Sequence, residues 1–160
     1  MESLRLREAV EGDVPLILRL IRALAEYERL SAECEATEAA LRETLFGATR
    51  RAEVCLAEWA GQPVGFALFF HNYSTFLAKP GLYLEDLFVV PEHRGKGIGK
   101  ALLLRLARLA KERGCGRFEW SVLDWNAPSI GFYRSLGAVP MNDWTIMRVT
   151  GEVLDRLASQ

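Results

Sequence analysis

One stretch, residues 84–104, constrains the fold more than any other: LEDLFVV followed by PEHRGKGIGKALLL. Tyr83, Leu84, Leu87, Phe88, Val89 and Val90 make a short apolar run closed by Pro91, the pattern of a buried strand. Ile98, Leu102, Leu106, Leu109 and Ala110 then share one face of a helix. Between them lies Arg94-Gly95-Lys96-Gly97-Ile98-Gly99. Glycines allow backbone with φ above zero and let a ligand approach the main chain closely. A helix N-terminus offers unpaired N–H groups and the positive end of the dipole. Arg94, Lys96 and Lys100 add charge, so this junction predicts a pyrophosphate site.

The spacing narrows the guest. The segment is not GxxxxGK[ST], which argues against a nucleoside triphosphate loop. Its glycines run G-x-G-x-G rather than G-x-G-x-x-G, and no acidic residue follows at the distance a ribose needs, which disfavours a nucleotide-dependent oxidoreductase. A solvated basic turn is the bland alternative.

With 160 residues, the chain has the size of one domain, 1–160, able to bury a substantial core. A net charge of −1 gives no bulk attraction to nucleic acid or to a membrane surface. No run approaches the roughly 18 apolar residues of a membrane span, and the opening MESLRLREAVEGD lacks the apolar centre of a signal sequence. Cys34, Cys55 and Cys115 are odd in number and form no CxxC pair, as expected of free thiols in a reducing cytoplasm. His71 and His93 lack the companions and spacing of metal ligands, so no metal is expected. The tryptophans come without a basic stripe and suit core and dimer contacts better than base stacking.

In chain order, Leu4 and Leu6 begin a strand, and Asp13 is placed to cap a helix with Pro15 in its first turn. Leu16, Ile17, Leu20, Ile21 and Leu24 form that helix's apolar stripe, and Tyr27 and Glu28 lie near its end. Thr37 caps a second helix reaching about Phe46. Residues 52–59 and 64–70 read as a hairpin, and 71–80 as a loop rich in aromatic and polar residues. After the central strand and helix, Gly114 and Gly116 stop the chain before a strand at Phe118, Trp120 and Val122. Asn126 precedes a helix carrying Ile130, Phe132, Tyr133 and Leu136, ended by Gly137. Residues 144–149 read as a last strand and 151–158 as a terminal helix. The predicted class is α/β: a mixed, mostly antiparallel central sheet flanked by helices, with at least one parallel pair.

These motifs carry a resemblance. R-G-x-G-I-G, entered from an apolar strand and leaving into a helix, resembles the acyl-CoA pyrophosphate motif of the GNAT superfamily of N-acetyltransferases. YLEDLFV, RGKGIG and WNAPSIGFYRSLGA, with LILRLIRALAEYE near the start, are similar to the diamine (spermidine/spermine) N-acetyltransferases and their thialysine-acetylating relatives. The likeness covers most of the chain and is weakest at residues 31–51, 72–80 and 138–144.

The resemblance implies acetyl transfer from acetyl-CoA to a primary amine by direct attack in a ternary complex, and a homodimer. Such an amine must lose a proton before it attacks, and the departing thiolate gains from a proton donor. Tyr133 matches the family's general acid, and the motif around it favours that role over the plainer reading as an amphipathic core tyrosine. Glu85 matches an acid that faces the amine, with proton removal through water as a further task. Asp86 is either structural, paired with an arginine, or part of the amine's surroundings. Neighbouring side chains on a strand point to opposite faces unless a bulge intervenes.

For the cofactor, Leu87, Phe88 and Val89 correspond to the main chain that pairs with the pantetheine arm. Gly95, Lys96, Gly97, Ile98, Gly99 and Lys100 would hold the pyrophosphate, with Arg94 in support. Asn126 either reaches the pantetheine or only caps its helix. Tyr27, Glu28 and Trp144 correspond to residues near the amine. The chain departs from the diamine enzymes at Tyr73-Ser74-Thr75-Phe76, where they carry an acid and a tryptophan, and around Asn142 and Asp143, where the register shifts. Fewer carboxylates weaken the grip on a multiply charged polyamine, so the acceptor is a polyamine or diamine or else a smaller amine, thialysine-like or another amino acid side chain. Alternatives are a protein lysine as acceptor, or a non-catalytic acyl-CoA sensor, which would need neither Tyr133 nor Glu85.

Overall fold

A computed structural model of the chain describes residues 3–160. Met1 and Glu2, which open the segment read above as no signal sequence, lie outside the described residues. Two compact units are present, one running to Ser121 and the other spanning Val122–Gln160.

The first unit holds β1 (Leu4–Glu8), α1 (Val14–Tyr27), α2 (Glu38–Phe46), β2 (Glu53–Trp59), β3 (Gln62–Ser74), β4 (Lys79–Val89), α3 (Ile98–Glu112) and β5 (Arg117–Trp120). Its strands form one sheet in the order β1-β2-β3-β4-β5. The first four pair antiparallel and β4 pairs β5 parallel. A parallel pair needs a crossover, which α3 supplies. The mixed α/β sheet is the one the sequence predicts.

One face of the sheet is covered by α1 and α2. Ile17, Leu20 and Leu24 of α1 and Leu45 of α2 pack with Val54, Leu56, Phe66 and Phe88 of the strands. The stripe read from the sequence is therefore the buried face of α1, while Arg19, Arg22 and Glu26 are exposed. Leu102 and Leu106 of α3 are fully buried, and α3 lies along β4, β3 and β2.

Three local expectations change. Residues 71–74 are strand rather than loop: Asn72 pairs Gly81, Tyr73 pairs Pro80 and Ser74 pairs Lys79, so the turn shrinks to residues 75–78. Aromatic and polar alternation reads as a loop only until a partner strand satisfies its backbone. Asp13 does not cap α1 through its side chain. Its carboxylate instead accepts from the Val10 N–H at 2.8 Å and from the Arg7 guanidinium at 2.8 and 2.9 Å, and a forked arginine is the stronger partner. The Thr37 cap is as read, its hydroxyl accepting from the Ala40 N–H at 3.1 Å.

The third change lies in the second unit, which carries α4 (Ala127–Ser135) and α5 (Gly151–Ala158). The strand expected at residues 144–149 does not form, and Trp144, Ile146 and Met147 are 77%, 74% and 87% exposed. Alternation creates a strand only where a second strand closes the ladder, and among the described residues of this unit there is none.

Candidate active site

The site begins with an irregularity in β4. Leu68 of β3 pairs Asp86 and the next residue, Phe69, pairs Leu84, so Glu85 is an extra residue bulged out of the ladder. Cross-strand partners share a face of the sheet. Asp86 therefore sits with Leu68 and Phe88 on the α1 side, whereas Leu84 follows Phe69 to the other side. Strict alternation would have put Leu84 and Asp86 on one face and Glu85 on the other. The bulge exposes Glu85 while leaving Asp86 half-buried.

A third carboxylate arrives from α1. That helix ends in a Schellman arrangement, with Leu30 N–H to Ala25 carbonyl at 2.8 Å and Arg29 N–H to Glu26 carbonyl at 3.1 Å. The left-handed position is held by Arg29, φ 63°, where glycine is usual. This closure fixes Glu28 as the residue that caps α1, near the bulge. The sequence places Tyr27 and Glu28 near the helix end, but no glycine marks the left-handed turn itself.

Crowding shows in the ionisation of the acids. Burial, then repulsion from Glu85 and Glu28, pushes the Asp86 carboxyl up to about 7. Burial and Glu85 likewise raise Glu28 above the usual carboxylate range. Among the described residues no arginine pairs with Asp86, so the ion-pair reading of that acid is set aside. Three acids gathered without a cation suit a protonated amine, and a carboxyl poised near neutrality suits proton transfer.

Past the bulge, β4 leads through Leu87, Phe88 and Val89 to the glycine turn and α3. Gly95 and Gly97 have φ of 81° and 82°, and a Cβ at either would meet open space. The turn thus needs glycine for backbone shape, and its main chain is uncovered. No side chain caps α3 at Gly97, which leaves first-turn N–H groups available to an anion. This arrangement fits a pyrophosphate. Two of the turn's cations are engaged within the protein. The Arg94 Nε donates to the Val89 carbonyl at 2.8 Å, and the Lys96 ammonium lies 4.8 Å from the Trp59 ring centroid and 3.1 Å from His93 Nδ1. His93 is part of this packing.

Tyr27, Glu28, Glu85, Asp86, residues 87–89 and residues 94–100 thus belong to one unit. Asn126, Tyr133 and Trp144 belong to the other and are described within it. Asn126 is buried, and its side-chain oxygen accepts from the Ser129 N–H at 3.4 Å, so it does cap α4. Tyr133 lies in the last turns of α4, its carbonyl accepting from Leu136 and Ala138 N–H where Gly137 ends the helix. Among the described residues no cluster of three metal-ligating side chains occurs. No helix of the described residues is long and apolar enough to cross a membrane.

A glycine turn between a bulged strand and an uncapped helix is a fold-level signature, and comparison decides its family. The profile of the acetyltransferase (GNAT) family matches residues 18–138. The chain belongs to the GNAT acetyltransferase family. Acetyltransferases of this family generally take their acetyl group from acetyl-CoA. The chain is 40% identical to a thialysine N-epsilon-acetyltransferase of Sus scrofa, with all of both chains covered. It is 34% identical to an L-ornithine N5-acetyltransferase of Arabidopsis thaliana, covering 96% of this chain and 87% of that one. Among solved structures, an integron cassette protein of V. cholerae superposes with a TM-score of 0.84 at 25% identity, covering 99% of each chain. This acetyltransferase therefore shares both its fold and its full length with enzymes that acetylate small-molecule amines.

Proposed function

We propose that this acetyltransferase moves an acetyl group from acetyl-CoA to the side-chain amine of a small amino acid, of the thialysine or ornithine kind. The observation that carries the reading is the gathering of Glu28, Glu85 and Asp86 at the β4 bulge, directly before the main chain that leads into the glycine turn. Three acids can hold one ammonium group, but residues 73–76, at the end of β3 and the start of its turn, add none for the far end of a polyamine. The names of the relatives, one acting on thialysine and one on ornithine, support the same size of acceptor.

In this reading the main chain of Leu87, Phe88 and Val89 pairs with the pantetheine arm. Residues 95–100 cradle the pyrophosphate on the α3 N-terminus, and Asn126 reaches the pantetheine. Glu85 and Glu28 hold the ammonium form, a task in which the family resemblance also enlists Tyr27 and Trp144. Asp86 or Glu85 then takes its proton, directly or through water. The freed nitrogen attacks the thioester carbonyl, a C–N bond forms and the C–S bond breaks. The Tyr133 phenol donates its proton to the departing sulfur. The whole chain acts as one catalytic domain, in a cytoplasmic homodimer, as the family resemblance and the free cysteines suggest.

The test is thiol release from acetyl-CoA with thialysine, ornithine, lysine, putrescine and spermidine, for wild type and Tyr133→Phe. Turnover of the amino acids above spermidine, with kcat reduced about 10²-fold in the variant, is the expected result. Preference for spermidine would overturn the acceptor. Binding of CoA without turnover of any amine would favour a sensor.

A further inference from the structure

Arg94 opens the glycine turn, where its charge suggests a phosphate ligand, yet its side chain is committed elsewhere. Its Nε bonds the Val89 carbonyl at 2.8 Å. Its guanidinium lies 4.4 Å from the Tyr27 ring centroid and 5.5 Å from that of Phe88. Those two rings are themselves 6.5 Å apart. One planar cation therefore joins the last residue of β4, the turn that follows it and the last residue of α1. Tyr27 immediately precedes Glu28, whose charge is felt by Asp86. Lys96 is engaged similarly against Trp59 and His93, so of the turn's cations Lys100 stands in the first turn of α3 beside its N–H groups.

We propose that Arg94 is a positioning residue of the amine site and not a ligand of the pyrophosphate. It holds the Tyr27–Glu28 end of α1 against the end of β4, and so sets where Glu28 stands relative to Glu85 and Asp86. The proposal rests on the amine acetyltransferase reading above. Arginine suits the task because its flat guanidinium can lie on a ring while one N–H donates in the plane. Lysine keeps a cation for the ring but loses the fixed fork.

The experiment measures two quantities in Arg94→Met and Arg94→Lys: the Kd of CoA by calorimetry, and the KM of thialysine. A Tyr27→Leu background completes a double-mutant cycle. CoA affinity should stay within about two-fold of wild type in both Arg94 variants. The thialysine KM should rise about five-fold in Arg94→Met and less in Arg94→Lys. Adding Arg94→Met to Tyr27→Leu should raise it no further, because the two side chains act through one contact. A ten-fold loss of CoA affinity in Arg94→Met, restored by Arg94→Lys, would overturn the proposal, as would effects on KM that simply add. Thermal midpoints identify any variant that fails to fold, and Arg94→Lys then decides. Wild-type protein that binds CoA but acetylates no amine would sink the amine reading itself, and the CoA measurement would still decide whether Arg94 holds phosphate.

Discussion

Where β1 meets β2, Asp13 and Glu58 both meet Arg7, at 2.8 and 3.1 Å; at the β4 bulge, Asp86 instead feels the charges of Glu85 and Glu28. A third carboxylate of the first kind, Glu53, is gripped by both terminal nitrogens of Arg113 at 2.7 and 2.9 Å. The same chemical group behaves oppositely in the two regions. Hydrogen bonds from Arg113 hold Glu53 below the usual carboxylate range, and those from Arg7 do the same for Asp13. Burial and like charge hold Asp86 above it, near 7. Paired acids stabilise the fold when ionised, whereas gathered acids destabilise it unless a cation arrives. The difference separates scaffold from site without reference to any ligand.

The largest effect should come from breaking the gathered acids. Asp86→Asn and Glu85→Gln should each lower kcat/KM for the amine by about 10²-fold near neutral pH, while Glu53→Gln leaves it unchanged. Steady-state kinetics on the best acceptor of the panel reads this, and an active Asp86→Asn would remove that acid from the mechanism. Next comes the paired side. Arg7→Met strands two partly buried carboxylates and should cost about 2.5 kcal/mol in urea denaturation, with m unchanged.

The pH dependence sharpens the contrast. Asp86 ionises near 4 when unfolded and near 7 when folded, so the folded state binds the extra proton between those values. Its contribution is favourable below about pH 4 and is lost as pH rises through 7. Asp86→Asn should therefore gain about 2 kcal/mol at pH 8 and nothing at pH 4, by denaturation at each pH. Asp13 and Glu53 have the opposite sign, present at neutral pH and lost as acid protonates them. The smallest effect belongs to Glu53→Gln, about 0.5 kcal/mol at pH 7, because both partners are still reached by solvent. Thermal melts in low and high salt check it, since the wild-type advantage should shrink with salt.

Local chemistry makes some of this legible in the chain. The glycine turn is written in residues that allow its backbone shape, so Gly95, Gly97 and the start of α3 follow from the sequence without help from distant contacts. Thr37 and Asn126 cap the helices they precede for the same reason. The apolar stripes of α1 and α3 likewise name their own buried faces, because helical period and hydrophobic burial act residue by residue. Those features sufficed to predict a mixed sheet with a pyrophosphate site at the start of α3, and the resemblance of the motifs to the GNAT superfamily added acetyl transfer.

Only tertiary structure could decide the rest. Whether adjacent Glu85 and Asp86 divide between two faces depends on the register of β4 against β3, and the bulge is a property of the pair of strands. Whether Asp86 is an ordinary acid or one poised near 7 depends first on its burial, then on the charges of Glu85 and of Glu28, the latter delivered by a helix far away in the chain and stopped by a left-handed arginine. Arg94 adds charge to the glycine turn in the sequence, and only the fold shows that its guanidinium meets the Val89 carbonyl and the Tyr27 ring. Residues 144–149 read as a strand because alternation is local, but a strand exists only when another backbone completes its hydrogen bonds, and that requirement is not written in the segment itself.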